Sequence, residues 1–382
     1  MKNKYHTLVL FLVFPLLTSV AAAQQKNTGI NISAKEKQAQ RIHRLQNELK
    51  WLNMEAIRLA YEDMKRLEGF DVVKYQPVLT ELEQQVKQGF GDIHSGDEAV
   101  LANAEKAIAN KRAILLANPL LDGDKVLTVR YKLGNRDRRA MAPDLGTQSN
   151  NWSNQESARR KGFDADIVEL SNLRKDVQIR TVYKPANTSS IADLKLHWDG
   201  ERAMFTQTMP YIRWNLFDVN LDGGDCKKLI DNPEPDLEFY DGTYLPDGRI
   251  IANSNIGYQG VPCVNGSDPV GNMVLYTPQN KNLRRLTFDQ DANWNPVIMN
   301  NGRVMYTRWE YTDLTHYYTR IVMNMNPDGT EQKALYGSGS MFPNSTFDVQ
   351  PLPGYGSAFV GIISGHHGVA RSGRLILFDP AK

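Results

Sequence analysis

Turns that close on glycine recur at a period near fifty residues, and each is followed by an apolar or alternating strand. A second repeated element interleaves with the first, and a helical stretch precedes both. Together these predict a mainly β chain, a β-propeller of about 50-residue blades with about five visible, after an α-helical N-terminal region.

The chain opens on "MKNK", a run "TLVLFLVFPLLTSV" broken by Pro15, and "AAA" before Gln24. A basic start, a short apolar core and small residues at the end read as a secretory signal peptide over residues 1–23, too short to span a bilayer. The sequence carries 45 basic and 43 acidic side chains; loss of Lys2 and Lys4 with the leader leaves the two in balance. Such a chain has no electrostatic footprint for nucleic acid. No later stretch is apolar enough for a transmembrane helix, so the expected location is periplasmic or secreted.

Residues 34–117 read as helices. Ser33 with Glu36 forms a capping-box signature. Ile42, Leu45, Leu49, Leu52, Ala56 and Leu59 follow at steps of three and four, an apolar seam that Gly69 brings to a stop. A shorter helix is expected near 76–89. Ser95 with Glu98 is expected to open a third, carrying Val100, Leu101, Ala104, Ile108 and Leu115 and ending before Pro119.

From residue 118 to 382 the pattern is strands and turns. "HWDGERAMFTQ", "LPDGRIIANSN", "MNNGRVMYTRWE" and "PGYGSAFVGIIS" align on Gly200, Gly248, Gly302 and Gly356, spaced by 48, 54 and 54 residues. Between them "DVNLDGGDCKKL", "LYTPQNKNLRRL" and "NMNPDGTEQKAL" end at Leu229, Leu286 and Leu335, spaced by 57 and 49. Short strands with Asx-Gly hairpins at that period are four-stranded blades. Closure is open: either the last blade is incomplete, or the strand at Val126–Tyr131 completes the ring.

The register also argues against a metal motif. Asp218, Asn220, Asp222 and Gly223 resemble the first half of a calcium loop, but the twelfth position is Leu229 rather than a bidentate glutamate. Leu335 stands at the same place after Asn324, Asn326 and Asp328. A hairpin followed by a core leucine explains both. Cys226 and Cys263 could pair in an oxidising compartment, although spacing in sequence does not establish a bridge.

"NPLLDGDKVLTVRY", "YLPDGRIIANSN", "YQGVPC", "VMYTRWEYTD", "MNPDGT" and "SGHHG" fall in one order over residues 100–382. In this the chain resembles exported bacterial proteins similar to the middle domain of the hydrazine synthase alpha subunit. The resemblance implies a WD-like propeller preceded by helices, and association with other protein subunits. Hydrazine-forming chemistry in the namesake runs at c-type haems. This sequence has no C-x-x-C-H, so covalent c-type haem is not expected.

No G-x-S-x-G, H-E-x-x-H or phosphate loop occurs, so no catalytic residue is named. The favoured function is an exported module presenting a polar loop face to a ligand, a metal or a protein. The alternative is an exported metal-dependent or redox enzyme with its site at the propeller mouth. Counting from the turn glycines gathers one loop of each blade at one end. His366 and His367 then fall beside Thr312 and Asp313, Tyr258 and Gln259, and Pro210 and Tyr211, with Arg213, Trp214, Cys263, Arg308, Trp309, Glu310 and His316 around them. Tyr258, Gln259, Arg308, Trp309, Glu310 and Asp313 are the ligand-binding candidates. His366, His367, His316 and Cys263 are candidate ligands of a transition metal. The competing reading is a solvated rim of polar loops with Trp309 packed between blades.

Overall fold

The computed structural model describes residues 33–123, 125–133, 163–174, 177–187, 189–209, 213–232, 234–262, 265–310, 320–338, 345–364 and 373–381. The chain divides into two compact units: residues 4–126 with 170–179, and residues 1–3 with 127–169 and 180–382.

The first unit holds helices α1 (Ala34–Lys50), α2 (Met54–Met64), α3 (Val72–Gln88) and α4 (Glu98–Leu115). The Ser33–Glu36 capping box is formed in full at the start of α1. The seam is not continuous, however. Asn53 accepts the Ala56 N–H at 3.1 Å as a new N-cap, so the chain breaks after Lys50 and Leu59 turns outward, 63% exposed. At α4 the cap is Asp97, not Ser95; its Oδ1 takes the N–H groups of Ala99 and Val100, while Ser95 ends a short 3-10 turn. Leu45, Leu101, Ala104 and Ile108 form one core cluster, and Ile57, Tyr61, Leu79, Leu82 and Ile114 anchor another. Arg41 spans Glu98 and Glu105, each at 2.8 Å, tying α1 to α4.

The strands form five sheets. The first contains β1 (Lys125–Leu133), β2 (Phe163–Ser171) and β3 (Gln178–Tyr183). The second runs β4 (Ile191–Leu196), β5 (Arg202–Met209), β6 (Arg213–Asn220), β7 (Cys226–Lys228). The third runs β8 (Phe239–Tyr244), β9 (Ile250–Ser254), β10 (Asn272–Thr277), β11 (Asn282–Arg285). The fourth runs β12 (Asn293–Ile298), β13 (Val304–Trp309), β14 (Arg320–Met325), β15 (Lys333–Tyr336). The fifth holds β16 (Thr346–Pro351), β17 (Phe359–Ile363) and β18 (Arg374–Phe378). Each of the last four sheets is an antiparallel meander, and in the last three the first strand packs on the sheet before it: β8 on β4, β5 and β6, β12 on β8 and β9, β16 on β12, β13 and β14. These are the blades of a five-bladed β-propeller.

The turn glycines join first strand to second. Gly200, Gly248, Gly302 and Gly356 have φ of 73°, 86°, 80° and 59°, a conformation that a β-carbon disfavours. The turn at Gly356 is longer than the others, and Gly354 is left-handed as well. Strand pairing therefore aligns Thr307 with Ile362, opposite Trp294 and Phe347, which glycine counting sets one residue out of step. Leu229, Leu286 and Leu335 pack in three separate interblade clusters, as core leucines after a hairpin should. Asp218, in the supposed calcium loop, is instead buried against Arg202 (3.2 Å) and the Tyr244 hydroxyl (2.6 Å).

Every first strand from the second blade onward carries the same irregularity. Asp193, Asp241, Asn295 and Asp348 sit at β-bulges with φ of 51°, 47°, 53° and 49°. The bulges link successive blades. Asp193 Oδ2 accepts the backbone N–H of Asp241 at 3.2 Å, and Asp241 Oδ2 that of Asn295 at 2.5 Å. Asn295 Nδ2 in turn donates to the Val349 carbonyl at 2.8 Å. From the second blade onward each blade thus holds the entry strand of the next.

The outer strands β7, β11 and β15 are short and carry Lys227, Lys228, Arg284, Arg285 and Lys333. Charges on short edges block stray pairing. In the fifth blade no strand pairs beyond β18 among the described residues, and Leu375 and Leu377 are 43% and 64% exposed there. Replacing both leucines by lysine is expected to lower concentration-dependent self-association in sedimentation experiments without lowering the melting temperature. An unchanged weight-average mass would show that this edge is not what drives association.

Candidate functional site

In each of the last four blades the first strand begins where the second ends. Ile191 pairs with Gln207, Phe239 with Ser254, Asn293 with Arg308 and Thr346 with Ile363. The loops after the second strands and the turns into the first strands therefore share one end of the propeller.

At that end Tyr258 is 65% exposed and held at φ 49°, with its N–H on the Asn255 carbonyl at 2.8 Å. Gln259 is exposed, and its carbonyl accepts the Val270 N–H at 2.8 Å. Arg308, half-buried at the end of β13, forms an ion pair with Glu310 and stands 3.7 Å from Asp289 Oδ1. Its Nε is buried with no partner among the described residues. Trp309 points the other way: 1% exposed, it stacks on Trp294 with centroids 6.2 Å apart. The Arg320 guanidinium, fully buried, lies over Trp309 (5.0 Å), Phe347 (5.2 Å) and Trp294 (5.8 Å). Trp309 is thus enclosed by packing, whereas Arg308 and Glu310 remain at the surface.

Arg213 pairs with Asp236 at 2.9 Å and Trp214 is fully buried. Asp313, His316, Cys263, His366 and His367 lie outside the described residues. Cys226, at the start of β7, is a free thiol. Among the described residues no three His, Cys, Asp or Glu side chains come close enough to share a metal ion.

Sequence reasoning missed the residues around Gly257. A β-carbon placed there would stand 3.0 Å from Arg285 Nη2 and 3.2 Å from both Asn272 Oδ1 and Gln259 Oε1. Three polar tips therefore converge where a side chain is missing. Arg285 donates from Nη2 to Asn272 Oδ1 at 2.5 Å and from Nε to the Thr287 carbonyl at 2.8 Å. Its guanidinium lies 4.6 Å over the ring of Phe288, which is 73% exposed. Burial holds its pKa below the ordinary arginine value, and the charge of Asp289 counteracts this. Asn272, fully buried, also donates to the Asp289 carbonyl at 3.3 Å. In sequence the run "NLRRL" reads only as a strand leading to a core leucine. Alternation within it puts Arg284 out and Arg285 on the side of Leu283, which packs inward.

No protein-family model and no curated protein matches the sequence. Among solved structures, hydrazine synthase from Kuenenia stuttgartiensis matches with a TM-score of 0.50 and 11% identity, over 66% of this chain and 37% of that one. The chain shares its fold with that protein. It spans little more than a third of the hydrazine synthase chain, and at this identity the likeness is one of fold. Putative TolB from Agrobacterium tumefaciens is also similar, with a TM-score of 0.41, 13% identity, and coverage of 66% of this chain and 88% of that one. So is oligogalacturonate lyase in complex with manganese, with a TM-score of 0.40, 12% identity, and coverage of 67% and 61%.

Proposed function

We propose that the chain is an exported, non-catalytic propeller module that holds a small polar ligand on the loop end of its third and fourth blades. One observation carries the reading: Arg308 bridges Asp289 and Glu310 from two separate segments, with its Nε in the protein interior. Charged groups fixed by one another at a loop face supply the few oriented polar contacts by which a ligand is selected. Tyr258 and Gln259 border the same end, and Asp313 follows Glu310 closely in sequence. The leader-like residues 1–23 support export.

A thermal-shift panel of small polar molecules and divalent metals tests this. At least one compound is expected to raise the melting temperature of the wild type and to have no effect on the Arg308→Gln, Glu310→Gln double variant. No shift with any compound sinks the reading. A stoichiometric transition metal lost on replacing His366 and His367 by alanine, together with turnover, would transfer the function to the enzyme class.

A further inference from the structure

We propose that Arg285 anchors a carboxylate subsite on this face. The open Nη1–Nη2 edge of its guanidinium takes the carboxylate of a small, flat, monoanionic ligand, and the body of the ligand lies against Phe288 and Tyr258. The inference rests on the reading of the loop face as a ligand site and names the chemistry that part of it recognises.

The geometry is that of a prepared fork. The Arg285 hydrogen bonds to Asn272 and Thr287 consume one Nη2 proton and the Nε proton, and they fix the plane of the group. Nη1 and the second Nη2 proton have no partner among the described residues, and no carboxylate pairs with this arginine there. Two parallel N–H groups on one edge match the two oxygens of a carboxylate. A half-buried cation that feels Asp289 only at a distance, with no ion pair among the described residues, is costly to keep, and a bound anion would relieve that cost.

Charge selects among anions. Arg308, the next arginine on this face, is already engaged by Asp289 and Glu310, so it does not add to the field at Arg285. One free positive charge beside Asp289 suits a monoanion better than a phosphate or sulfate dianion. Phe288 presents a large exposed ring against the guanidinium, and exposed Tyr258 follows Gly257 in the chain, so an aliphatic or aromatic body would find apolar surface on this side. Gly257 completes the arrangement, since any side chain there would press on Arg285, Asn272 and Gln259 together.

Isothermal titration of the full chain with benzoate, benzamide and sulfate decides it. Benzoate is expected to bind with a dissociation constant below about 1 mM. Benzamide, isosteric but uncharged, should bind at least about tenfold more weakly, and sulfate no more tightly than benzoate. Arg285→Gln should weaken benzoate binding by at least about tenfold. Gly257→Ala should do the same by crowding the fork, with its melting temperature close to wild type, and it decides the matter should Arg285→Gln fail to fold. Equal affinity for benzoate and benzamide, or benzoate binding unaffected by both substitutions, overturns the proposal. Should benzoate fail while a panel compound still shifts the melting temperature through Arg308, the carboxylate subsite falls and the loop-face reading stands. Should nothing bind, both fall.

Discussion

Trp309→Ala is expected to cost the propeller about 3–5 kcal/mol of unfolding free energy, the range for deleting a large aromatic from a core. The side chain is 1% exposed, and Val261, Val270, Ala292 and Trp294 complete its cluster. Its removal also strips one aromatic face from the buried Arg320 guanidinium, which keeps the rings of Trp294 and Phe347 among the described residues. Desolvated cation–π contacts of this kind are worth about 2 kcal/mol or more. Trp309→Phe should recover a good part of the loss. Urea unfolding followed by the signal of the propeller measures both. A cost under about 1 kcal/mol for the alanine variant would mean that the ring is not the packing element described here.

Asp241→Ala should be comparably damaging, by about 3–5 kcal/mol. One carboxylate oxygen accepts from the Asn295 backbone and from Asn253 Nδ2 (3.0 Å), and the other faces Lys195 Nζ at 3.4 Å. Alanine would leave the Asn295 and Asn253 donors without this acceptor, while Lys195 Nζ would keep its bond to the Pro296 carbonyl at 2.9 Å. It would also have to occupy φ 47°, where a β-carbon is strained and asparagine is tolerated. Asp241→Asn is therefore expected to cost distinctly less. Equal losses for the two variants would show that the charge near Lys195, rather than the bulge and its backbone bond, carries the effect.

The propeller was legible because its turns need residues that few others can replace. Left-handed glycines at a fixed period, each ahead of an apolar strand, leave little choice of architecture. The interblade leucines were legible for a similar reason: one leucine, buried at 286 and partly buried at 229 and 335, turns inward at the end of each outer strand. The bulges were not recognised, although Asp193, Asp241 and Asn295 each stand seven residues ahead of their turn glycine. Asp and Asn in a strand read as turn-formers, and only the pairing register shows that they face a neighbouring blade. In the helices, Asn53 overrode the apolar seam because a cap oxygen acts locally, whereas the seam pattern tolerates a break of three residues. At the loop end, Arg308 and Glu310 could be found from their strand position. Arg285 could not, since its role depends on the side chain missing from Gly257, a residue from a different loop.

The bulge contacts also bear on how such a chain could lengthen. Asp241 presents an acceptor to the blade after it and a backbone N–H to Asp193 in the blade before it, so the contact is head-to-tail rather than two-fold. A tandem duplicate of the third blade would meet its own parent through the same kind of bond that already joins Asp193 to Asp241, although the two apolar faces of that blade would have to repack on each other. Copying blades is then chemically inexpensive in this scaffold. What limits their number is the angle each subtends around the axis, and reversing a blade, unlike repeating one, would bring acceptor against acceptor.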